Sequence, residues 1–294
     1  IMKAGYPGYF REDFINMALI MEGKPAAAAI RARLTEKAGK LREQGVVCGL
    51  AVVLVGDDHA SIIYADWLSK LCSNLGIRYH LAALPAETTQ SEMLSQIEQL
   101  NANPEVSGIL PMMPLPAQIN PDIIARSINP EKDVDAMHPL NVGLVAAGKS
   151  PWAPCTPRAV MTVLDHYGIE LAGKHAVIVG RSNVVGKPLA QLLLGRDATV
   201  TVCHSKTPDL AAFLRQADLV VAAVGRPHMI QAPMIRPGTV VVDVGINELD
   251  GRIVGDVDFA GVEPLAAAIT PVPGGIGTVS TVMVLEAVLR KWPD

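Results

Sequence analysis

Apolar and polar positions along the chain alternate between two patterns. Mostly apolar runs of strand length occur at Leu50–Val55, Ile77–Leu84, Val106–Met113, Ala176–Val179, Thr199–Cys203, Leu219–Val224 and Thr239–Val244. Strands of a parallel sheet, covered by helices on both faces, have this character. Between the runs lie stretches with a single apolar stripe at helical spacing. Ile30, Leu34, Ala38 and Leu41 mark a helix that Pro25 can open and Gly45 stops. A second helix is predicted over Ser61–Asn74, closed by Gly76. A third follows the T-x-x-E capping box of Thr89 and Glu92 and runs through Met93, Ile97 and Leu100. Pro121–Ile128 is a short fourth helix after the turn Pro114-Leu115-Pro116.

Residues 129–155 have few periodic signals and many Pro, Gly and Asn, and the passage between two domains is placed at their end. Thr156 as N-cap, with Pro157 at the first helical position, then starts a helix to Tyr167. Strand and helix alternate again from Ala176, with helices from Gly186 and Pro208 and a turn at Asp250-Gly251. From Gly277 the chain is helical, with Val284, Leu285, Val288 and Leu289 apolar. The expected fold class is α/β: a first α/β domain over residues 21–155, with the helix of 277–294 packing back on it, and a Rossmann-like domain over 156–276. Residues 1–20 read as an N-terminal extension or expression remnant and are given no role.

Composition narrows the classes. The chain has 294 residues, half of them hydrophobic, enough for two cores. A net charge of −4 without a basic block argues against nucleic acid as the main partner. No apolar run is long enough to cross a bilayer and no basic start leads into an apolar leader, so a cytoplasmic protein without a membrane partner is expected. Cys48, Cys72, Cys155 and Cys203 stand far apart and form no C-x-x-C, and the histidines lack ligand spacing, so no metal is expected.

Candidate chemistry concentrates at Lys174–Pro188, KHAVIVGRSNVVGKP: strand, glycine turn at Gly180, helix start near Gly186. A dinucleotide-binding βαβ unit begins in this order, although the strict G-x-G-x-x-G spacing fails. Backbone N–H groups at Arg181–Val185 can hold a pyrophosphate. The next strand ends at Cys203-His204-Ser205-Lys206-Thr207, without the acid that an NAD ribose would call for. Arg181, Ser205 and Lys206 instead offer donors and positive charge suited to the 2′-phosphate of NADP.

The stretches GRSNVVGKP, VCHSKT, DVGIN, GDVD and TPVPGG, taken with EGKPAAAAIR, VGDDHASIIY, PLPAQI, EKDVDAMHPLNVG and PCTP, resemble the bifunctional methylenetetrahydrofolate dehydrogenase/methenyltetrahydrofolate cyclohydrolase family from about Met21 onward. The resemblance implies an N-terminal folate domain, a C-terminal NADP domain, a cleft between them and a homodimer. It implies oxidation of the folate methylene bridge with hydride transfer to NADP, then hydrolysis of the methenyl product. Gly180, Arg181, Ser182, Ser205 and Ile246 match cofactor positions. Asp135 matches the acid that binds the pterin, Tyr64 the tyrosine beside the folate ring, and Pro273, Gly274 and Gly275 the loop over folate and nicotinamide. The chemistry agrees, since a carboxylate can pair with two pterin N–H donors and a tyrosine supplies a ring and a hydroxyl.

The chain departs from the family at two linked positions. The lysine of Y-x-x-x-K falls on Leu68, and the glutamine before the L-P-L-P turn falls on Met112. Leucine moves no proton and methionine is a weak acceptor. Lys70 is the candidate stand-in, but six residues from Tyr64 place it about 240° round a straight helix, against about 40° for a four-residue offset. The first expectation is therefore a dehydrogenase whose hydrolase step is weakened. An enzyme on a different one-carbon pterin, and a folate- or NADP-binding paralogue with a regulatory role, remain open as alternatives.

Overall fold

The computed structural model of the chain describes residues 18–150 and 152–292. In order, β1 (Leu19–Ile20), α1 (Gly23–Glu43), β2 (Gly49–Val55), α2 (His59–Leu75), β3 (Arg78–Leu84), α3 (Gln90–Ala102), β4 (Gly108–Pro111), α4 (Pro121–Ser127) and α5 (Pro139–Ala146) lead to α6 (Cys155–His166). The second half holds β5 (His175–Val179), α7 (Gly186–Leu194), β6 (Thr199–Cys203), α8 (Leu210–Leu214), β7 (Leu219–Ala222) and β8 (Val240–Asp243). After them come β9 (Asn247–Leu249), β10 (Arg252–Val254), α9 (Phe259–Val262), β11 (Ala268–Ile269) and α10 (Ile276–Leu289).

Local chemistry sets the element ends. The Asp58 carboxylate accepts from Ser61 N at 2.9 Å and caps α2, which Gly76 closes at φ 68°. Thr89 and Glu92 make the reciprocal capping box of α3. The helix read with Thr156 as N-cap and Pro157 as its first residue begins two residues earlier, at Cys155, whose N–H donates to the Asp135 carboxylate at 2.7 Å.

Two parallel sheets result. One has three strands in the order β3-β2-β4, the other six in the order β1-β11-β8-β7-β5-β6. Every residue of β2 is buried, as expected of a central strand covered on both faces. In the larger sheet β5 pairs with β6 on one side and β7 on the other. The connections leave β5 in opposite directions, which opens a crevice at its carboxyl end. β9 and β10 form an antiparallel hairpin around Asp250-Gly251. The main core is shared: Leu50 and Val52 of the small sheet and Ile178, Val221 and Val242 of the large one belong to one buried cluster with α1, α6 and α10.

Further features differ from the sequence reading. Of residues 1–20, those up to 17 lie outside the described residues, but Leu19 and Ile20 form the edge strand of the large sheet, in register with Ala268 and Ile269. Its two-residue length gives no periodic signal. α5 rises within the segment read as irregular, its start built by Asp133, which is buried and accepts from Met137 N, His138 N and Asn141 Nδ2. The strand read to Val224 ends at Ala222, because the N–H groups of Val224, Gly225 and Arg226 turn to the Asp256 carboxylate.

Candidate active site

The first wall of the site is α2. Its buried face carries Ser61, Ala65, Leu68 and Cys72, and Tyr64 packs half-buried against the same cluster. Burial pushes the Tyr64 phenol well above its ordinary range. Neighbouring Cys155 and Asp135 act in the same direction, and a hydrogen bond with Thr281 acts against them. These interactions bring Tyr64 (α2), Asp135 (the loop before α5), Cys155 (α6) and Thr281 (α10) together. Burial raises the Asp135 carboxyl to about 6, partly offset by the hydrogen bond from Cys155 N.

Leu68 is 0% exposed and Met112 6%, and both belong to the main core. Both positions are thus filled by packed apolar side chains. Lys70 lies exposed on α2, and among the described residues no hydrogen bond or ion pair joins it to Tyr64 or Asp135.

A charged cluster backs Asp135. Arg158, in the first turns of α6, lies 4.4 Å from the centroid of the Trp152 ring and pairs with Glu286 of α10, which also pairs with Arg33 of α1. Burial lowers the Arg158 guanidinium to about 10. The sequence reading did not single out this cluster, because its members are more than a hundred residues apart and share no motif.

The second wall is the carboxyl edge of the large sheet. Gly180 ends β5 at φ 128°, where a Cβ would meet Ala223 O at 2.2 Å, so the turn needs glycine. Ser182 Oγ accepts from Val185 N at 3.1 Å and orders the start of α7. Arg181, Ser205 and Lys206 are exposed on adjoining turns after the paired strands β5 and β6, and among the described residues Arg181 and Lys206 have no ion-pair partner. Free cations and a hydroxyl, with no carboxylate between them, fit a phosphate monoester.

Two carboxylates fix this edge. Asp256 accepts from the N–H groups of Val224, Gly225 and Arg226 and from Asn247 Nδ2, at 2.6–3.0 Å. Asp243 accepts from Gly245 N, Asp256 N and Val257 N at 2.8–3.0 Å. A Cβ on Gly255 would meet Asp243 Oδ2 at 1.9 Å and one on Gly245 the Asp256 carboxyl at 2.3 Å, so both glycines make room for the pair. Burial outweighs the three N–H donors and raises Asp243 to about 6. Both acids sit in stretches legible in sequence, DVGIN and GDVD, but their backbone partners were not.

Between the walls is a cavity of about 190 Å³. Ile246, Pro273, Gly274 and Gly275 all line it, so the structure brings these predicted residues to one place, together with Trp67 of α2. Gly23 N donates to Gly274 O at 2.8 Å and ties the start of α1 to the loop. The Val272–Pro273 peptide is cis. Among the described residues no group of His, Cys, Asp and Glu could hold a metal ion.

A parallel sheet with a phosphate-suited crevice, facing a second α/β layer that presents a tyrosine and a half-buried acid, defines a two-domain α/β protein of the dinucleotide-binding class. Residues 21–135 match the family described as Tetrahydrofolate dehydrogenase/cyclohydrolase, catalytic domain, and residues 154–293 its NAD(P)-binding domain. The chain is 50% identical over 276 residues to the bifunctional protein FolD of Pelobacter propionicus, covering 94% of this chain and 98% of that one. It superposes with a TM-score of 0.91 on the bifunctional FolD methylenetetrahydrofolate dehydrogenase/cyclohydrolase of Campylobacter jejuni, at 45% identity and with 93% and 98% of the chains covered. It is also similar to the Trypanosoma brucei enzyme solved with NADP cofactor and an inhibitor, with TM-score 0.88, 37% identity and coverage of 93% and 96%. The chain belongs to the tetrahydrofolate dehydrogenase/cyclohydrolase family.

Proposed function

We propose that this protein oxidises methylenetetrahydrofolate to methenyltetrahydrofolate with NADP, and that its cyclohydrolase step is weak. Residues 21–155 with the 277–294 helix form the folate half in this reading, and 156–276 the cofactor half. The observation that carries it is the contrast between the walls: cofactor-side residues keep their donors, while Leu68 is wholly buried where a lysine would work.

NADP, when bound, supplies the hydride acceptor. Gly180 and Ser182 at the turn after β5 would hold its phosphates, Arg181, Ser205 and Lys206 would select the 2′-phosphate, and Ile246 would line the cofactor's side of the cleft. Asp135 pairs with pterin N–H donors and fixes the substrate's orientation, and Tyr64 packs beside its ring. Pro273, Gly274 and Gly275 cover the junction of the two ligands. Oxidation needs chiefly this alignment. Hydrolysis of the methenyl product adds water to a cationic carbon and then cleaves a C–N bond, so it needs a group that gives and takes protons. Leu68 and Met112 cannot do so, and Lys70, exposed on α2, is given no catalytic role.

A homodimer is carried over from the family resemblance, and size-exclusion chromatography with light scattering tests it. A cytoplasmic location suits the four free, buried cysteines. Among the described residues no helix is long and apolar enough to cross a membrane. The deciding experiment is a paired assay. NADPH formation from methylenetetrahydrofolate, with methenyltetrahydrofolate hydrolysis at least 100-fold slower than in lysine-bearing relatives, is expected. NADP binding without NADPH formation refutes the dehydrogenase reading, and hydrolysis at the relatives' rate refutes the assignment to Leu68 and Met112.

A further inference from the structure

Trp67 is 48% exposed, beside a Leu68 that is wholly buried. A lone exposed apolar residue needs no explanation. Trp67, however, lines the cleft cavity together with Ile246 and Ile253, themselves 67% and 46% exposed. Three large apolar side chains from α2, the segment after β8, and β10 thus converge on one concave space. Such convergence marks a surface that a ligand covers. The remaining wall includes Gly274 and Gly275, which present backbone without side chains to that space. The cavity therefore combines a flat indole with a slender backbone wall, a shape and polarity suited to a planar ring.

We propose that Trp67 is a ligand-contacting residue whose indole receives a planar aromatic ring of the bound ligand in the cleft. An offset-stacked ring would take the indole out of water and fix the ring plane relative to Gly274 and Gly275. Two rings have this chemistry under the function proposed above, on which the identity of the ring rests: the nicotinamide of the dinucleotide and the aryl ring of the folate. Trp67 then selects for ligands carrying that ring, with no part in proton transfer.

The test measures dissociation constants by calorimetry for NADP alone and for tetrahydrofolate alone, in the wild-type chain and in Trp67→Phe, Trp67→Leu and Trp67→Ala. The exposed position leaves the core intact, which circular dichroism checks. For at least one ligand, affinity is expected to fall in the order Trp, Phe, Leu, Ala, with a loss of roughly 3- to 10-fold for alanine. The ligand that shows the series identifies the ring. Variants that all bind both ligands within twofold of wild type, or Leu equal to Phe, overturn the stacking role while leaving the proposed function standing. A wild-type chain that binds neither ligand overturns both.

Discussion

At the scale of single residues, the site sets a partly buried acid near Tyr64 on a wall where Leu68 and Met112 have no proton to exchange. Asp135 titrates near 6 because burial disfavours its charge. Its ordinary value is 3.8, so between about pH 4 and 6 the folded chain holds a proton that the unfolded chain releases. The contribution of Asp135 to stability therefore falls as pH rises through that window, and the cost persists above it. Asp135→Asn keeps an acceptor for Cys155 N and removes the cost. Thermal unfolding should find the variant more stable than wild type at pH 7, by up to roughly 3 kcal/mol, with the difference gone below pH 4. The same variant should bind tetrahydrofolate about 10- to 100-fold more weakly at pH 7, since charge-assisted hydrogen bonds are lost. Wild-type affinity should decline as pH falls through 6, which a titration series reads directly. Leu68→Lys with Met112→Gln should restore proton handling beside Tyr64. Methenyltetrahydrofolate hydrolysis should rise about 100-fold or more, and an unchanged rate would remove those two residues as the cause.

At the scale of elements, the carboxyl edge of the large sheet is held by side chains. Asp256 occupies three N–H groups after β7 and the amide of Asn247, and Asp243 stitches the residues after β8 to the segment bearing Asp256. Asp256→Ala removes the charged acceptor of four part-buried donors. It is expected to cost about 2–4 kcal/mol in denaturant unfolding and to raise the KM for NADP several-fold, with a smaller effect on the KM for folate. This level also shows what sequence could tell. β2, α2, α3, β5, α7, β6 and α10 were legible because each carries its own signal: a buried apolar run, a capping box or a glycine stop. β1, β11, α5 and the strands β9 and β10 were not, although the turn between the last two was, since two- and three-residue strands make no period and α5 owes its start to the buried Asp133. At the candidate site, motif resemblance pointed to Tyr64, Asp135, Gly180 and Ile246. Trp67, Asp256 and the Arg158–Glu286 pair were not, because their meaning lies in partners distant along the chain.

At the scale of the molecule, the two sheets share one core between them, while the outer face of each packs a cluster of its own, around Val53 in the small sheet and Val220 in the large one. α10 packs on α1 and α6, and one apolar cluster runs from the small sheet to the large one. Calorimetry should therefore find one unfolding transition instead of two. Leu285→Ala, in the middle of α10 and fully buried, should lower stability by about 2–5 kcal/mol while keeping that transition single. Two separate transitions would contradict a shared core. The edge strand β1 carries the same sharing back to the order in which the protein is made. Among the described residues, Leu19 and Ile20 find their ladder partners in Ala268 and Ile269, some 250 residues later. At roughly 5–20 residues per second on the ribosome, that strand leaves the exit tunnel about 10–50 seconds before its partner exists. The small sheet can assemble early, but the growing chain carries an unpaired β-segment and the open face of α1 until β11 and α10 emerge. Translation speed and chaperone capture should then govern the yield of this protein more than the intrinsic quality of either half.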